Sequence, residues 1–215
     1  MFDTQDAGAF LARLTRLDPH AVVRLKRVAD DRTALWARLP WAVLASRTVA
    51  GAGPDDATVS AADLLAEIGR GGDALPERRD QGWRWPLPPA GARVVESLPA
   101  TDLRRIAAAA AGTLRAASEH GVGGRPVGER AVRDALLDHV AIVVTTGGMR
   151  VEVPQRLVQG VARMGFLGRS DQAEGETVRV QTVGRWVGLA APYGVAWLLP
   201  VSQFAVRPAV ARTKS

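Results

Sequence analysis

The sequence predicts an α+β protein of two modules, each with an antiparallel three-strand meander and packed helices. Two patterns support this class: apolar residues recur at helical spacing in some segments, and β-branched segments separated by turns follow one another elsewhere. The helices are segregated from the strand sets, as in α+β folds. The chain has 215 residues, 47% hydrophobic and 23% charged, which is the composition of a globular protein with a buried core.

The N-terminal module is predicted to span residues 1–68. It begins with a helix over residues 5–17, which has acidic residues at its start, basic residues near its end and Pro19 after it. Three strands are predicted over residues 21–28, 33–39 and 41–49, as an antiparallel meander. Ser60 and Asp63 then form a variant of the capping box, which predicts a short helix that ends at Gly69.

Residues 69–91 are the predicted linker, with five glycines and four prolines in 23 residues. Trp83, Arg84 and Trp85 lie in its middle. In an extended segment the two tryptophans share one face and Arg84 takes the other. Trp83, Arg84 and Trp85 form a candidate interaction site, in which the rings stack on bases or dock on a partner protein. The alternative is that both rings fasten the linker onto a domain.

The C-terminal module is predicted to span residues 92–215. Its first helix begins at Thr101 or Asp102 and ends near His120, with an apolar stripe on one face. A second helix over 128–138, a hairpin over 139–145 and 149–153, and a third helix beginning at Pro154 follow. Three strands over 177–183, 186–191 and 195–201 complete it. Because both strand sets contain tryptophan in similar patterns, an internal duplication is a further hypothesis.

The segment VGERAVRDALLDH, residues 127–139, resembles the second helix of helix–turn–helix regulators, and the following hairpin resembles a wing. This resemblance implies that Arg125, Arg130 and Arg133 face phosphates or base edges. Arg104 and Arg105, which lie off the apolar stripe of the preceding helix, complete the candidate nucleic-acid surface. The turn over residues 120–127 is longer than the usual three to four residues. A plain helical pair packed on a sheet is therefore the alternative.

Charge is distributed unevenly along the chain. Residues 1–68 carry 8 basic and 9 acidic groups, residues 69–91 carry 4 and 3, and residues 92–215 carry 16 and 10. The whole excess of +6 therefore lies in the C-terminal module. A basic half of this kind indicates a polyanionic partner, with a solvated basic face as the other interpretation.

Several classes of chemistry lack their sequence signatures. The absence of cysteine excludes disulfides, zinc ribbons, iron–sulfur clusters and thiol nucleophiles. The three histidines form no H-x-H or H-E-x-x-H arrangement, and neither a nucleophile elbow nor a phosphate loop occurs. We therefore predict no metal, no cofactor and no catalytic residue. An enzyme without a recognisable motif stays open as an alternative.

Residues 186–206 carry no charge and are long enough to cross a bilayer. Gly188, Pro192, Gly194 and Pro200 interrupt them, so we predict buried strands and no membrane span. The first twenty residues contain no apolar run, which predicts no secretory signal and a cytoplasmic protein. A sheet this apolar needs cover from helices or from another subunit, which makes a homodimer a candidate assembly.

These observations predict a non-enzymatic protein that binds a macromolecule. Nucleic acid is the first candidate partner, through the arginines of the C-terminal module. A protein–protein adaptor, or a self-associating module that uses the tryptophan-rich surfaces, is the alternative.

Overall fold

A computed structural model describes residues 3–120, 129–168 and 175–200 of the chain. It confirms the predicted α+β class: five helices within these ranges accompany a large antiparallel sheet and a two-stranded hairpin. The helices are α1 (Thr4–Leu17), α2 (Ala61–Gly69), α3 (Ala100–His120), α4 (Glu129–Asp138) and α5 (Gln155–Arg163). None of these described helices is both long and apolar enough to cross a membrane.

Ten strands are present in the described ranges: β1 (Val22–Ala29), β2 (Arg32–Arg38), β3 (Leu44–Ala50), β4 (Asp56–Ser60), β5 (Arg93–Pro99), β6 (Val140–Thr146), β7 (Met149–Pro154), β8 (Thr177–Val183), β9 (Trp186–Ala191) and β10 (Gly194–Leu198). Eight of them form one sheet in the order β4-β1-β2-β3-β10-β9-β8-β5, and β6 pairs with β7. Every pairing is antiparallel, as predicted for the two meanders.

The two meanders meet edge to edge. Strands β3 and β10 pair around Ala45 and Ala196, so strands from both predicted modules belong to one sheet. On each side of this junction a helix precedes three strands, α1 before β1–β3 and α5 before β8–β10, and a further strand flanks the set. The hypothesis of an internal duplication, which rests on the two three-strand sets, stays a prediction. We call the two parts the first and second αβββ units.

The main core lies between the helices and one face of the sheet. Apolar side chains of α1 and α5, spaced for one helical face, are fully buried there. Phe10 of α1 stacks on Phe166, just after α5, with ring centroids 6.3 Å apart. Because each ring belongs to a different αβββ unit, this stack joins the two units.

The predicted cap of α2 is confirmed, since Ser60 Oγ accepts a hydrogen bond from the Asp63 N–H at 3.2 Å.

Three details of the sheet differ from the prediction. Strands β4 and β5 were not predicted, because each is an edge strand whose pairing partner is distant in sequence. The third strand begins at Leu44 and not at Trp41: Leu39 N–H donates to the Val43 carbonyl at 2.8 Å, and Ala42 adopts a positive φ of 65°. Residues 39–43 are therefore a turn.

The predicted linker runs over the face of the sheet opposite the helices. We call residues 78–90 the strap. It begins beside β4, where Arg78 bridges to Val59, and ends next to β5 at the other edge of the sheet. Beneath it lies a second apolar cluster, which we call the outer cluster: Trp36, Leu44, Trp83, Leu87, Trp186 and Trp197. The strap supplies Trp83 and Leu87 to this cluster, so residues of the same chain cover part of the apolar sheet face.

This cover removes the argument on which the predicted homodimer rested. The apolar outer face around Trp186 and Trp197 needs a partner, and the strap provides one within the chain. A homodimer stays a prediction without that support.

Candidate nucleic-acid interface

The second αβββ unit carries two additional helices. Helices α3 and α4 pack against each other and against α5, which itself packs on β9 and β10. Leu103 of α3 is fully buried, whereas Ala108, Ala109 and Gly112 on the same helix are exposed. This layer of α3, α4 and α5 therefore combines a buried apolar side with a solvent side that carries small and basic residues.

The structure places two of the predicted arginines on the solvent side of α4. The Arg130 side chain is 87% exposed, and its Nε lies 3.9 Å from Asp134 Oδ2, one helical turn further on. Arg133 is exposed as well. An ion pair of this length between exposed groups is weak, so Arg130 remains available to an external anion.

The other predicted arginines differ in their surroundings. Arg105 is exposed but pairs with Asp102 in the first turn of α3. The Arg104 guanidinium donates to the Leu167 carbonyl and lies 3.6 Å from Glu176, and both side chains are only 20% exposed. Arg104 thus fastens α3 to the segment after α5, and we leave it out of the proposed surface. Arg125 lies outside the described residues.

Two basic residues of this surface, Arg163 and Arg115, were not predicted as site residues. Arg163 is exposed at the end of α5, and it lines the same cavity as Arg133, between α3, α4 and α5. The sequence does contain a pattern for it: Gln155, Gln159 and Arg163 recur every four residues, so they share one helical face. Arg115, exposed on α3, adds a further charge to the helical layer.

The predicted interaction site at residues 83–85 is partly built into the fold. Trp83 is half-buried in the outer cluster, and its Nε1 donates to the Trp85 carbonyl at 2.7 Å. Trp85 is 42% exposed, with the Arg38 guanidinium 3.7 Å from its ring centroid. Arg84 is exposed. Trp83 therefore fastens the strap, whereas Trp85 and Arg84 remain accessible to a partner.

Ion pairs hold the first part of the strap at the β4 edge. Asp80 accepts from the Thr58 N–H at 2.8 Å and from Arg78 Nε at 2.8 Å, and both bonds hold the pKa of Asp80 below its ordinary value. Beside it, Arg24 forms a two-point contact with Asp56 at 2.7 and 2.6 Å, which lowers the pKa of that carboxyl. The cluster is satisfied internally, which is typical of a structural latch.

A groove of about 800 Å³ opens between the β6–β7 hairpin and the end of the large sheet. Its apolar wall includes Val187 and the exposed Met149, and Arg93 lies at its edge, 3.8 Å from the Met149 sulfur. Arg150 also lines it but pairs with Glu152 at 2.9 Å. Asp138 and Glu152 line the groove as well, so its rim carries charges of both signs.

Comparison with solved structures identifies the fold. The chain is similar to the beta subunit from DNA polymerase of Streptococcus pyogenes, with a TM-score of 0.55, 14% sequence identity and coverage of 93% of this chain. Two structures from Pseudomonas aeruginosa, a DNA polymerase III subunit beta and a DNA polymerase sliding clamp, give TM-scores of 0.54 and 0.53, with 13% and 12% identity and coverage of 92% and 94% of this chain.

The chain spans 64%, 63% and 64% of the length of these three structures. At such low identity the likeness is one of fold. No curated protein matches the sequence.

Two family models match consecutive parts of the chain. Residues 2–85 match a domain of unknown function, DUF8010. Residues 87–203 match another, DUF8185. Since this second match spans more than half of the 215 residues, the chain belongs to the DUF8185 family.

Proposed function

We propose that this chain is a non-enzymatic protein that binds nucleic acid, first of all duplex DNA, through the exposed arginines of α3, α4 and α5. The observation that carries the proposal is the convergence of Arg133 and Arg163 from two helices on one solvent-facing site, with Arg130 one turn away on α4. Arginine presents a planar set of donors that suits phosphate oxygens, and it stays charged at every physiological pH.

Two further observations support this proposal. The excess of positive charge lies entirely in residues 92–215, which contain these helices. The similar structures include a beta subunit and a sliding clamp of DNA polymerase. The proposed contact is to the phosphate backbone and not to base edges, because Arg133 and Arg163, which carry the proposal, come from two different helices. A cytoplasmic location is part of the proposal.

Fluorescence anisotropy with a labelled DNA duplex, titrated over a range of salt concentrations, tests it. We expect binding that weakens with salt, because each phosphate contact releases a counterion. Arg133→Gln combined with Arg163→Gln should weaken binding uniformly across sequences and reduce the slope of log K against log salt by about 2.

The matched control is the pair Arg32→Gln and Arg179→Gln, which removes the same charge from exposed positions in β2 and β8. If the control pair weakens binding as much as the α4–α5 pair, the interaction reflects net charge and the proposed surface is wrong. Failure of the wild-type chain to bind duplex at low salt would contradict the proposal itself.

The groove beside the β6–β7 hairpin favours a second candidate function, that of an adaptor for another protein. Its apolar wall and Arg93 at its edge suit an extended peptide that combines apolar and acidic residues. Peptides selected on the wild-type chain from a displayed library should show this composition, and Met149→Glu should no longer retain them. Selected peptides without a shared composition would contradict this second candidate.

A further inference from the structure

A cavity of about 100 Å³ lies between α3, α4 and α5. Its apolar walls come from three parts of the chain: Trp41 before β3, Ala110, Ala111 and Leu114 of α3, and Leu136 and Leu137 of α4. An apolar cavity of about 150 Å³ is large enough to bind benzene. This one is about two thirds of that size and opens to solvent on one side, so it has room for a short aliphatic chain.

On the α5 side of the cavity, the side chain of Gln155 is a buried hydrogen-bond donor. Gln155 lines the cavity and is 3% exposed, and its side-chain Nε2 has no hydrogen-bond partner among the residues that the structure describes. A buried amide donor without an acceptor costs free energy, because it has lost its water. The neighbouring Gln159 differs, since its Nε2 donates to the Ala107 carbonyl at 3.4 Å. An oxygen acceptor bound in the cavity would satisfy the Gln155 donor.

The exposed side of the cavity holds positive charge. Arg133 and Arg163 line it, and neither forms an ion pair with a carboxylate in the described part of the chain. Gln155 and Arg163 stand eight residues apart on α5, which is about 12 Å along the helix axis. The donor residue and Arg163 therefore stand two turns apart on the α5 wall of one cavity.

We infer that this cavity binds a short aliphatic carboxylate that carries a second oxygen acceptor, such as an oxo acid. The carboxylate accepts from Arg133 and Arg163, the carbon chain packs on Leu114, Leu136 and their neighbours, and the oxo oxygen accepts from Gln155 Nε2. This inference shares Arg133 and Arg163 with the proposed function but does not require it, because Gln155 is buried and belongs to no nucleic-acid contact.

The test compares two probes that differ only in the oxo oxygen, 5-oxohexanoate and hexanoate. Each is titrated into the ¹⁵N-labelled chain and followed by NMR, including the side-chain amide resonances of Gln155. We expect 5-oxohexanoate to bind on the order of 10-fold more tightly, since it alone satisfies the buried donor. The Gln155 amide resonances should move with 5-oxohexanoate and not with hexanoate.

Gln155→Leu should remove the difference between the two probes, and it should fold, because it deletes a donor that has no partner. Arg163→Gln should weaken both probes equally, whereas Arg130→Gln, outside the cavity, should change neither. A third probe, acetyl-glycyl-leucine, carries a carboxylate and a carbonyl at a peptide end. Tighter binding of this peptide would identify a chain terminus as the source of the same chemistry.

Equal affinity of the wild-type chain for 5-oxohexanoate and hexanoate would overturn the inference, and so would failure of both to bind. A difference between the probes that persists in Gln155→Leu would also overturn it. Because Gln155→Leu leaves every exposed arginine in place, its binding to duplex DNA should equal that of the wild type. Failure of the DNA proposal is therefore distinguishable from failure of this one.

Discussion

The two αβββ units share a skeleton and differ in what covers it. In the first unit, α1 and α2 form a simple layer over the sheet, and residues 1–68 carry one more acidic than basic group. In the second, α3 and α4 extend the layer around α5, and residues 92–215 carry an excess of six basic groups. The shared skeleton accounts for the fold, and the additions to the second unit account for the candidate sites.

On the outer face of the sheet, the two ends of the strap are held by different kinds of contact. At the β4 edge the strap is held by charged contacts of Asp80 and Arg78, whereas further along it is held by apolar contacts of Trp83 and Leu87. The same strap thus depends on pH at one end and on packing at the other. Each of the following predictions tests one side of these comparisons, from the largest expected effect to the smallest.

The junction between the units should be the most sensitive position. Phe166→Ala should lower the free energy of unfolding by about 3–5 kcal/mol, because Phe166 is fully buried and stacks on Phe10 of the other unit. Urea unfolding followed by tryptophan fluorescence and by circular dichroism should give coincident transitions. In the double variant with Phe10→Ala, a coupling of about 0.5–1.5 kcal/mol is expected. Two separate transitions would instead show that the units unfold independently.

Two glycine-to-alanine substitutions in the second unit, one in the sheet and one in the helical layer, should change the free energy of unfolding in opposite directions. Gly188→Ala places a Cβ 2.6 Å from the Trp197 ring in the outer cluster, and this overpacking should cost about 1–3 kcal/mol. Gly112→Ala on α3 meets nothing within 4 Å and should stabilise the chain by up to about 1 kcal/mol, because alanine is the better helix former. Thermal unfolding measures both. Stabilisation by both variants would contradict the packing of Trp197 described above.

Asp80→Asn should weaken the latch of the strap in a pH-dependent manner. The pKa of Asp80 is lowered in the folded chain, so its contribution is complete above the ordinary aspartate pKa of about 3.9 and is lost as the pH falls through the folded value. The difference in unfolding free energy between wild type and Asp80→Asn should therefore be present at neutral pH and disappear in acid. A difference that does not change with pH would mean that the asparagine disturbs packing and not the ion pairs.

The smallest effect on stability is expected for Arg130→Gln. Its only described ion pair is long and exposed, so the free energy of unfolding should change by less than about 0.5 kcal/mol. Binding to duplex DNA should nevertheless weaken, with the salt slope reduced by about 1. On the same preparation, chemical denaturation measures the free energy of unfolding and fluorescence anisotropy measures the affinity for duplex DNA. Loss of stability without loss of binding would assign Arg130 to the fold.

Most elements of the fold could be predicted from local pattern. The last two strands of the C-terminal set illustrate this: the predicted 186–191 is observed as Trp186–Ala191, and the predicted 195–201 as Gly194–Leu198. Strands β4 and β5 were missed because their pairing with β1 and β8 depends on residues far away in sequence. For the same reason the junction of β3 with β10, about 150 residues apart, lay beyond any local pattern.

The residues of the candidate sites also divide into those that a local pattern predicts and those that depend on contacts between distant segments. Arg130 and Arg133 could be predicted because α4 has a clear helical pattern with charges on one face. Arg104 has the same pattern on α3, but its contact with Leu167, 63 residues away, removes it from the surface. The cavity at Gln155 requires three helices to meet, so the four-residue spacing of Gln155, Gln159 and Arg163 indicates one wall of it and not the cavity itself.

The sequence by itself determined the α+β class, the order of the helices and of the strands other than β4 and β5, and the location of the basic charge. These depend on periodicity and capping within a few residues, where the chain's own sterics and hydrogen bonds decide the conformation. The tertiary structure alone decided that both strand sets join in one sheet, that the linker covers its outer face, and which arginines remain exposed. Those outcomes depend on contacts between distant segments, whose free energy is realised only when the whole chain packs.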